Sequence, residues 1–440
     1  MMLRLFLLAW SALWHLGLPF VLFYLWRRGR KDPVYRSHLA ERFGRYAPAQ
    51  AGSVWVHAVS LGELRSAVPL IRGLLGQGER IVITHFTPAG RRESERVFAS
   101  EIATGRVRAV WVPFETSWAY AGFFRAFRPA YGLVMEIEIW PRMVFAAQGA
   151  GVPLFLCNAQ YPARSIQRDA GGFRLRQQVM RHYAGGLVKS DLQATRFASV
   201  GLRNLAVTGE LRFDQPIPEG LLVAARAARL WLGAQERRVV TIASAIEGED
   251  PVYLHAIAAL RSDHAARGLA PPLVIYVPRR PERFDEVAAT LASDGLRVLR
   301  RTLLWDGNLA PLVQGPAPQD LDVILGDSLG EMYFYLEMAD QVIVGGGFNP
   351  KGAHNIIEPL ALRKPVLTGP HTGTIEYPFA EAEAAGVALS VPDAEALGRA
   401  LIGGFHPDAS QIEAFFEAHA GATQKTLQAI PRLLAQVRPS

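Results

Sequence analysis

Cysteine is almost absent: the 440 residues contain one, Cys157, so no intramolecular disulfide can form and a reducing compartment suits the chain. Its setting in the apolar run VPLFLC makes it a core residue rather than a nucleophile. Low-complexity segments and short-period repeats are also missing. Charged residues make up 20% and hydrophobic residues 50%, a balance that excludes disorder and supplies cores for two ordinary domains. The formal net charge of +7 suits an anionic partner: nucleic acid, acidic lipid or a phosphorylated substrate.

Charge is most conspicuously missing from residues 5–26, LFLLAWSALWHLGLPFVLFYLW, where only His15 could carry one. Roughly 22 residues at about 1.5 Å each reach about 33 Å, close to the thickness of a bilayer's hydrocarbon layer. No small-x-small cleavage site follows, so a membrane anchor over residues 1–30 is expected rather than a signal peptide. Arg27, Arg28, Arg30 and Lys31 come next and place the body on the cytoplasmic side. Pro19 and His15 weaken a spanning helix and leave open one lying along the interface.

Beyond the anchor, apolar runs alternate with amphipathic stretches. Strands are predicted at 54–59, 81–85, 107–112, 132–139, 153–157, 186–189 and 206–208, and again at 239–243, 273–277, 296–299, 322–325, 341–344 and 365–367. Helical patterns between them imply parallel sheets covered on both faces. The Pro-rich segment DQPIPEG at 214–220 divides the chain into two α/β, doubly wound, Rossmann-like domains, 31–214 and 215–440. Ligands of such sheets bind beyond the carboxyl ends of strands, so a cleft between two facing domains is expected.

The most informative tract is QVIVGGGFNPKGAHNIIEPL at 341–360: a strand, three glycines that let a ligand approach, and a helix start bearing Asn355 and Glu358. It does not follow the G-x-G-x-x-G dinucleotide spacing. In the first half, SLGE places Glu63 between a strand and its helix, where a carboxylate could take a proton from an attacking hydroxyl. The plainer reading of Glu63 is a partner for the helix dipole, which would lower its pKa. In LVMEIEIWP, Glu136 and Glu138 share one face if the strand is regular; they could hold a metal, which the lack of a nearby His or third acid disfavours, stabilise a cationic transition state, or pair with Arg142 or another arginine. Arg212, before the linker, suits a leaving phosphate or sugar carboxylate, or else an interdomain salt bridge. Arg279 and Arg280 end one strand of the second half, and Gly330 with Glu331 begin a helix.

In their order and spacing, HAVSLGE, MEIEIWP, NAQYPARS, TGELRFD, VPRRPERF, GDSLGE, GAHNIIE and PVLTGPHT resemble the 3-deoxy-D-manno-oct-2-ulosonic acid (Kdo) transferases over nearly the whole chain. Those are bacterial membrane glycosyltransferases of GT-B fold that build the inner core of lipopolysaccharide. The resemblance implies a CMP-Kdo donor, a lipid A precursor (lipid IVA) as acceptor, inversion at the anomeric carbon, and neither metal nor cofactor. It implies Glu63 as general base, with Glu136 and Arg212 assisting the transition state. For CMP it implies Pro278, Arg279, Leu329, Gly330, Glu331, Asn355, Ile356, Ile357 and Glu358, with Glu358 on the ribose and amides near Gly330 and Asn355 on the phosphate. It further implies an inner-membrane enzyme with a cytoplasmic body. Three departures stand out: Arg212 for a common lysine, Ile246 for a usual histidine, and Ala353 for a second glycine. No nucleic-acid module is evident, so nucleic acid is not an expected partner. The alternatives are a nucleotide-sugar epimerase of the same fold and a membrane-tethered nucleotide-binding protein without activity.

Overall fold

In each half, short apolar runs pair side by side into a seven-stranded sheet whose strand pairings are all parallel. The computed structural model describes residues 2–313, 315–318 and 320–437, so the expected outer domain limits at 1 and 440 lie outside the described residues. The first sheet holds β1 (Val54–His57), β2 (Ile81–His85), β3 (Val107–Trp111), β4 (Tyr131–Met135), β5 (Leu154–Ala159), β6 (Gly185–Val188) and β7 (Leu205–Val207), ordered β3-β2-β1-β4-β5-β6-β7. The second holds β8 (Val239–Ala245), β9 (Leu273–Pro278), β10 (Val298–Arg300), β11 (Val323–Leu325), β12 (Gln341–Val344), β13 (Val366–Thr368) and β14 (Ala388–Ser390), ordered β10-β11-β9-β8-β12-β13-β14. The strand order reverses between β1 and β4 in one sheet and between β8 and β12 in the other, the points where ligands of open parallel sheets bind.

The period-two alternation of a strand sends Val54 and Val56 into one core, with Leu64, Leu70 and Ile71 of the helix Leu61–Gly76. Trp55 goes to the opposite core with Val82, Phe123 and Leu156. Both faces are buried, which is why these strands read as near-continuous apolar runs.

The structure corrects three expectations. β14 was not predicted: its three residues are only partly apolar and two are half-buried. The strand predicted over 132–139 stops at Met135, because Glu136 adopts a left-handed backbone (φ 57°). Glu136 and Glu138 therefore leave from a turn and not from one strand face. Third, the chain does not remain in the second unit to its end. The compact units are Met1–Gln215 with Ala420–Ser440, and Pro216–His419. The last helix, Ala422–Val437, carries Leu427, Ile430 and Leu433 on one apolar face and buries them in the first unit's core. Asp214 holds its start, accepting from the amides of Gly421 (2.7 Å) and Thr423 (2.5 Å).

The N-terminal apolar run forms one helix, Met2–Arg28, long and apolar enough to cross a membrane. One side is docked on the first unit. Trp10 Nε1 donates to the buried Glu115 carboxylate (3.0 Å), Arg142 Nη2 donates to the Leu7 carbonyl (2.9 Å), and Trp14 packs on Phe114. Leu5, Leu8, Leu13, Leu16, Phe20 and Phe23 remain exposed along it.

Candidate active site

Glu63 enters the structure in the first turn of a capped helix. Ser60, the N-cap of the helix Leu61–Gly76, accepts from the Glu63 amide (3.3 Å) and donates its hydroxyl to Glu63 Oε1 (2.9 Å). Oε2 accepts from the Val59 amide (2.9 Å). The helix-cap reading is therefore correct as geometry, yet its predicted electrostatic consequence is not. Burial, with Glu63 only 8% exposed, and the charge of Glu136 outweigh the two hydrogen bonds and push the carboxyl up to about 8. This carboxyl is a stronger base than an ordinary glutamate once it is ionised.

Glu136 follows β4, next to β1 across the switch point. Its Oε1 accepts from Arg212 Nη2 (3.1 Å), both side chains being half-buried, so Arg212 pairs within the first unit. Glu138 takes a different partner: Trp140 Nε1 donates to it (2.6 Å), while burial holds its carboxyl high. Neither acid pairs with Arg142, whose backbone amide donates to Glu115 (3.0 Å).

Under Arg212 lies a network that sequence reasoning missed. Glu210, 1% exposed, binds Lys189 Nζ (2.6 Å) and accepts from Asn158 Nδ2 (2.8 Å) and from the Arg212 amide (3.3 Å). Asn158 Oδ1 in turn accepts from the Leu211 amide (2.9 Å). Burial opposes ionisation of Glu210, but Lys189, and then Arg212, hold its carboxyl down at about 2. The network fixes the backbone from which Arg212 reaches Glu136. In the sequence Glu210 is one of three charged residues of TGELRFD, and nothing there marks it as the buried one. Beneath Glu63, His57 and His85 are buried and neutral, each with its pKa pushed down to about 3 by desolvation.

In the second unit, Arg279, Asn355 and Glu358 line one small cavity of about 70 Å³ with Ser244 and His354. Pro278 ends β9 beside it. Gly330 (φ 86°) and the 71%-exposed Leu329 do not line that cavity, and Glu331 is occupied by the buried Arg301 (2.6 Å) and the Ser328 hydroxyl. Ile356 and Ile357 are core residues, so only their backbones could meet a ligand. The helix that opens here, Ile357–Ala361, has five residues, and its Ile357 amide donates to Asn355 Oδ1 (3.0 Å). The free helix N-terminus expected for phosphate is thus partly used internally.

The glycine tract is likewise built against its own chain. A Cβ on Gly345 would stand 2.5 Å from the Ser244 carbonyl oxygen, and one on Gly347 would collide with Thr368 and Gly369. The amides of Gly346 (2.8 Å) and Phe348 (2.9 Å) donate to Glu249, which also accepts from Ile246 (3.1 Å) and is completely buried. Glu249, the acid of SAIEGED, holds the loop's shape and was missed because the sequence gives no sign that two of its three donors lie about a hundred residues away. Among the described residues no group of three or more His, Cys, Asp or Glu could hold a metal ion.

Two doubly wound parallel sheets of these orders define the GT-B class. A solved glycosyltransferase from Rickettsia africae matches with a TM-score of 0.53 at 12% identity, over 89% of this chain and 99% of that one. A putative UDP-N-acetylglucosamine 2-epimerase from Listeria monocytogenes matches at 0.58 and 12% identity, over 88% and 98%. At such identities the likeness concerns the fold alone. Within that class the chain belongs to the 3-deoxy-D-manno-octulosonic acid (Kdo) transferase family. The family model for 3-deoxy-D-manno-octulosonic-acid transferase (kdotransferase) matches residues 37–215. The 3-deoxy-D-manno-octulosonic acid transferase of Bordetella pertussis is 40% identical over 94% of this chain and 96% of its own length. That of Haemophilus influenzae is 31% identical over 87% of each.

Proposed function

We propose that the chain is an inverting, metal-independent glycosyltransferase that moves Kdo from CMP-Kdo to a lipid A precursor, lipid IVA, during lipopolysaccharide inner-core assembly. The observation that carries this reading is the buried, proton-avid Glu63 beside Glu136 and Arg212 at the first sheet's switch point. Glu63 takes the proton of the acceptor's primary hydroxyl as its oxygen forms a bond to the anomeric carbon of Kdo, and the bond to the CMP phosphate breaks. Arg212 offers its guanidinium to the Kdo carboxylate or the departing phosphate, while Glu136 orients that guanidinium and stabilises an oxocarbenium-like sugar. With a carboxyl near 8, roughly a tenth of Glu63 is ionised at pH 7, so turnover should rise with pH toward 8.

In the second unit, Glu358 would bind the ribose, and Arg279, Asn355 and the Gly330 turn would bind the phosphate. Pro278 and the backbone of Leu329, Glu331, Ile356 and Ile357 complete the CMP contacts in this reading. The apolar face of the helix Met2–Arg28 would sit in the bacterial inner membrane, with the basic segment after it and the catalytic body on the cytoplasmic side.

The test is the purified chain with CMP-Kdo and lipid IVA, read by product mass and CMP release. Kdo-modified lipid with acceptor-dependent CMP release is expected. CMP release without acceptor, or no modified lipid where a relative from the family is active, would refute the reading. Product mass also counts the Kdo units added.

A further inference from the structure

The first sheet has a polar concavity at its amino end, opposite the turns that carry Glu63 and Glu136. It is a cavity of about 230 Å³ lined by Ser53, Arg80, Arg106 and Arg108, with Gln50 and Phe127. The register explains why these residues meet. Val54, Ile81 and Val107 are mutual partners in β1, β2 and β3, so the residues just before them, Ser53, Arg80 and Arg106, lie side by side in adjacent strands. Strands stand about 4.8 Å apart, and partners in register share a face of the sheet. Arg108, two residues beyond Arg106 and paired with Val82, belongs to that face as well.

Three arginines thus line one cavity with no carboxylate among its lining residues. The Arg106 guanidinium is anchored at the rim, its Nη2 donating to the Leu75 carbonyl. Arg106 also feels Glu101, whose carboxyl is held low chiefly by the Ser100 hydroxyl and which lies outside the lining. At the wall, Ser53 is 5% exposed and its Oγ has no hydrogen-bond partner. A buried hydroxyl without a partner is costly, and clustered arginines without acids attract an anion that accepts several N–H bonds at once.

We propose that this cavity is a binding site for a phosphate group, carried by a lipid headgroup or by a free phosphorylated compound, with Arg80, Arg106 and Arg108 as its cations and Ser53 Oγ as a further donor.

The full chain in neutral detergent, with saturating CMP to fill any nucleotide site, is titrated calorimetrically with inorganic pyrophosphate. In parallel, its flotation with phosphatidylcholine vesicles is compared with and without phosphatidylglycerol. Arg80→Gln/Arg108→Gln should weaken the anion response at least about tenfold while Kdo transfer stays unchanged. If the double substitution abolishes the gain from phosphatidylglycerol, the phosphate belongs to a lipid. If it abolishes only pyrophosphate binding, the ligand is soluble. Either result supports the site, whereas an equal response from the variant, or no saturable response from the parent chain in either arm, overturns it.

Discussion

Glu63 and Glu249 occupy equivalent places in the two units and have opposite characters. Each follows the first strand of its sheet, next to the switch point, at the start of the first crossover helix, and each is a carboxylate shut away from water. Glu249 accepts three backbone N–H bonds and ties two loops together. Glu63 accepts one backbone N–H and one hydroxyl, and it faces the charge of Glu136. Saturation with donors makes a buried acid part of the scaffold, whereas a shortage of donors leaves one with a proton to exchange.

The comparison breaks first at Glu63→Gln. Losing a general base should lower kcat for Kdo transfer by about 10³-fold, with binding of CMP measured by calorimetry unchanged. If transfer persists within about tenfold, Glu63 is a cap like Glu249 and the contrast is void. Arg212→Met comes next, with an expected loss of about 10² in kcat as an electrostatic donor disappears. Arg212→Lys should recover part of this, because charge is kept and geometry is not. A variant at Glu210, which holds the Arg212 backbone, should lower kcat less than Arg212→Met does, with the donor KM unmoved.

Glu249→Ala examines the other side of the comparison. Three amides would lose their acceptor in a site closed to water, at a cost of about 2–3 kcal/mol. The loss should appear as faster hydrogen exchange confined to the glycine tract and β8. Unchanged protection there would show that glycine packing alone shapes the loop.

Much of the fold was legible because a sheet buried on both faces needs apolar runs and its crossovers need amphipathic ones; β1, β2 and β12 lie where those runs are. The placement of Glu63 was legible for the same reason, since a strand end followed by a helix is visible in a sequence. What stayed hidden depends on partners remote in the chain. The last helix returns to the first unit through Leu427 and Leu433, and nothing in those residues names their neighbours. The glycines of 345–347 were noticed for the approach they allow a ligand, while the packing they also serve was hidden: they make room for Ser244, Gly352, Thr368 and Gly369. The turn at Glu136 rests on a positive φ in a residue type that seldom adopts one. The rise in the pKa of Glu63 needed both its burial and Glu136, neither of which its local motif contains.

The subtlest prediction concerns stability, where the same change of acid to amide should act with opposite sign in the two units. The folded-state carboxyl of Glu63 lies near 8, above the ordinary glutamate value. The folded state therefore binds a proton more tightly than the unfolded chain, and the resulting stability is present at low pH and lost as pH rises toward 8. Glu63→Gln removes that loss, and its stability relative to the parent chain should climb by about 2 kcal/mol between pH 6 and about 7.5, at about 1.4 kcal/mol per unit. At pH 6 the folded-state carboxyl is protonated, so the substitution exchanges one neutral donor–acceptor group for another and the slope is the diagnostic quantity. Glu249→Gln turns an N–H toward backbone donors and should destabilise its unit throughout this range. Urea titrations of both variants across pH 6 to 8, followed by hydrogen exchange in β1 and β8, separate the two cases. A flat difference curve for Glu63→Gln would mean that its carboxyl is as well satisfied as that of Glu249, and the second acid would then be no less a candidate base than the first.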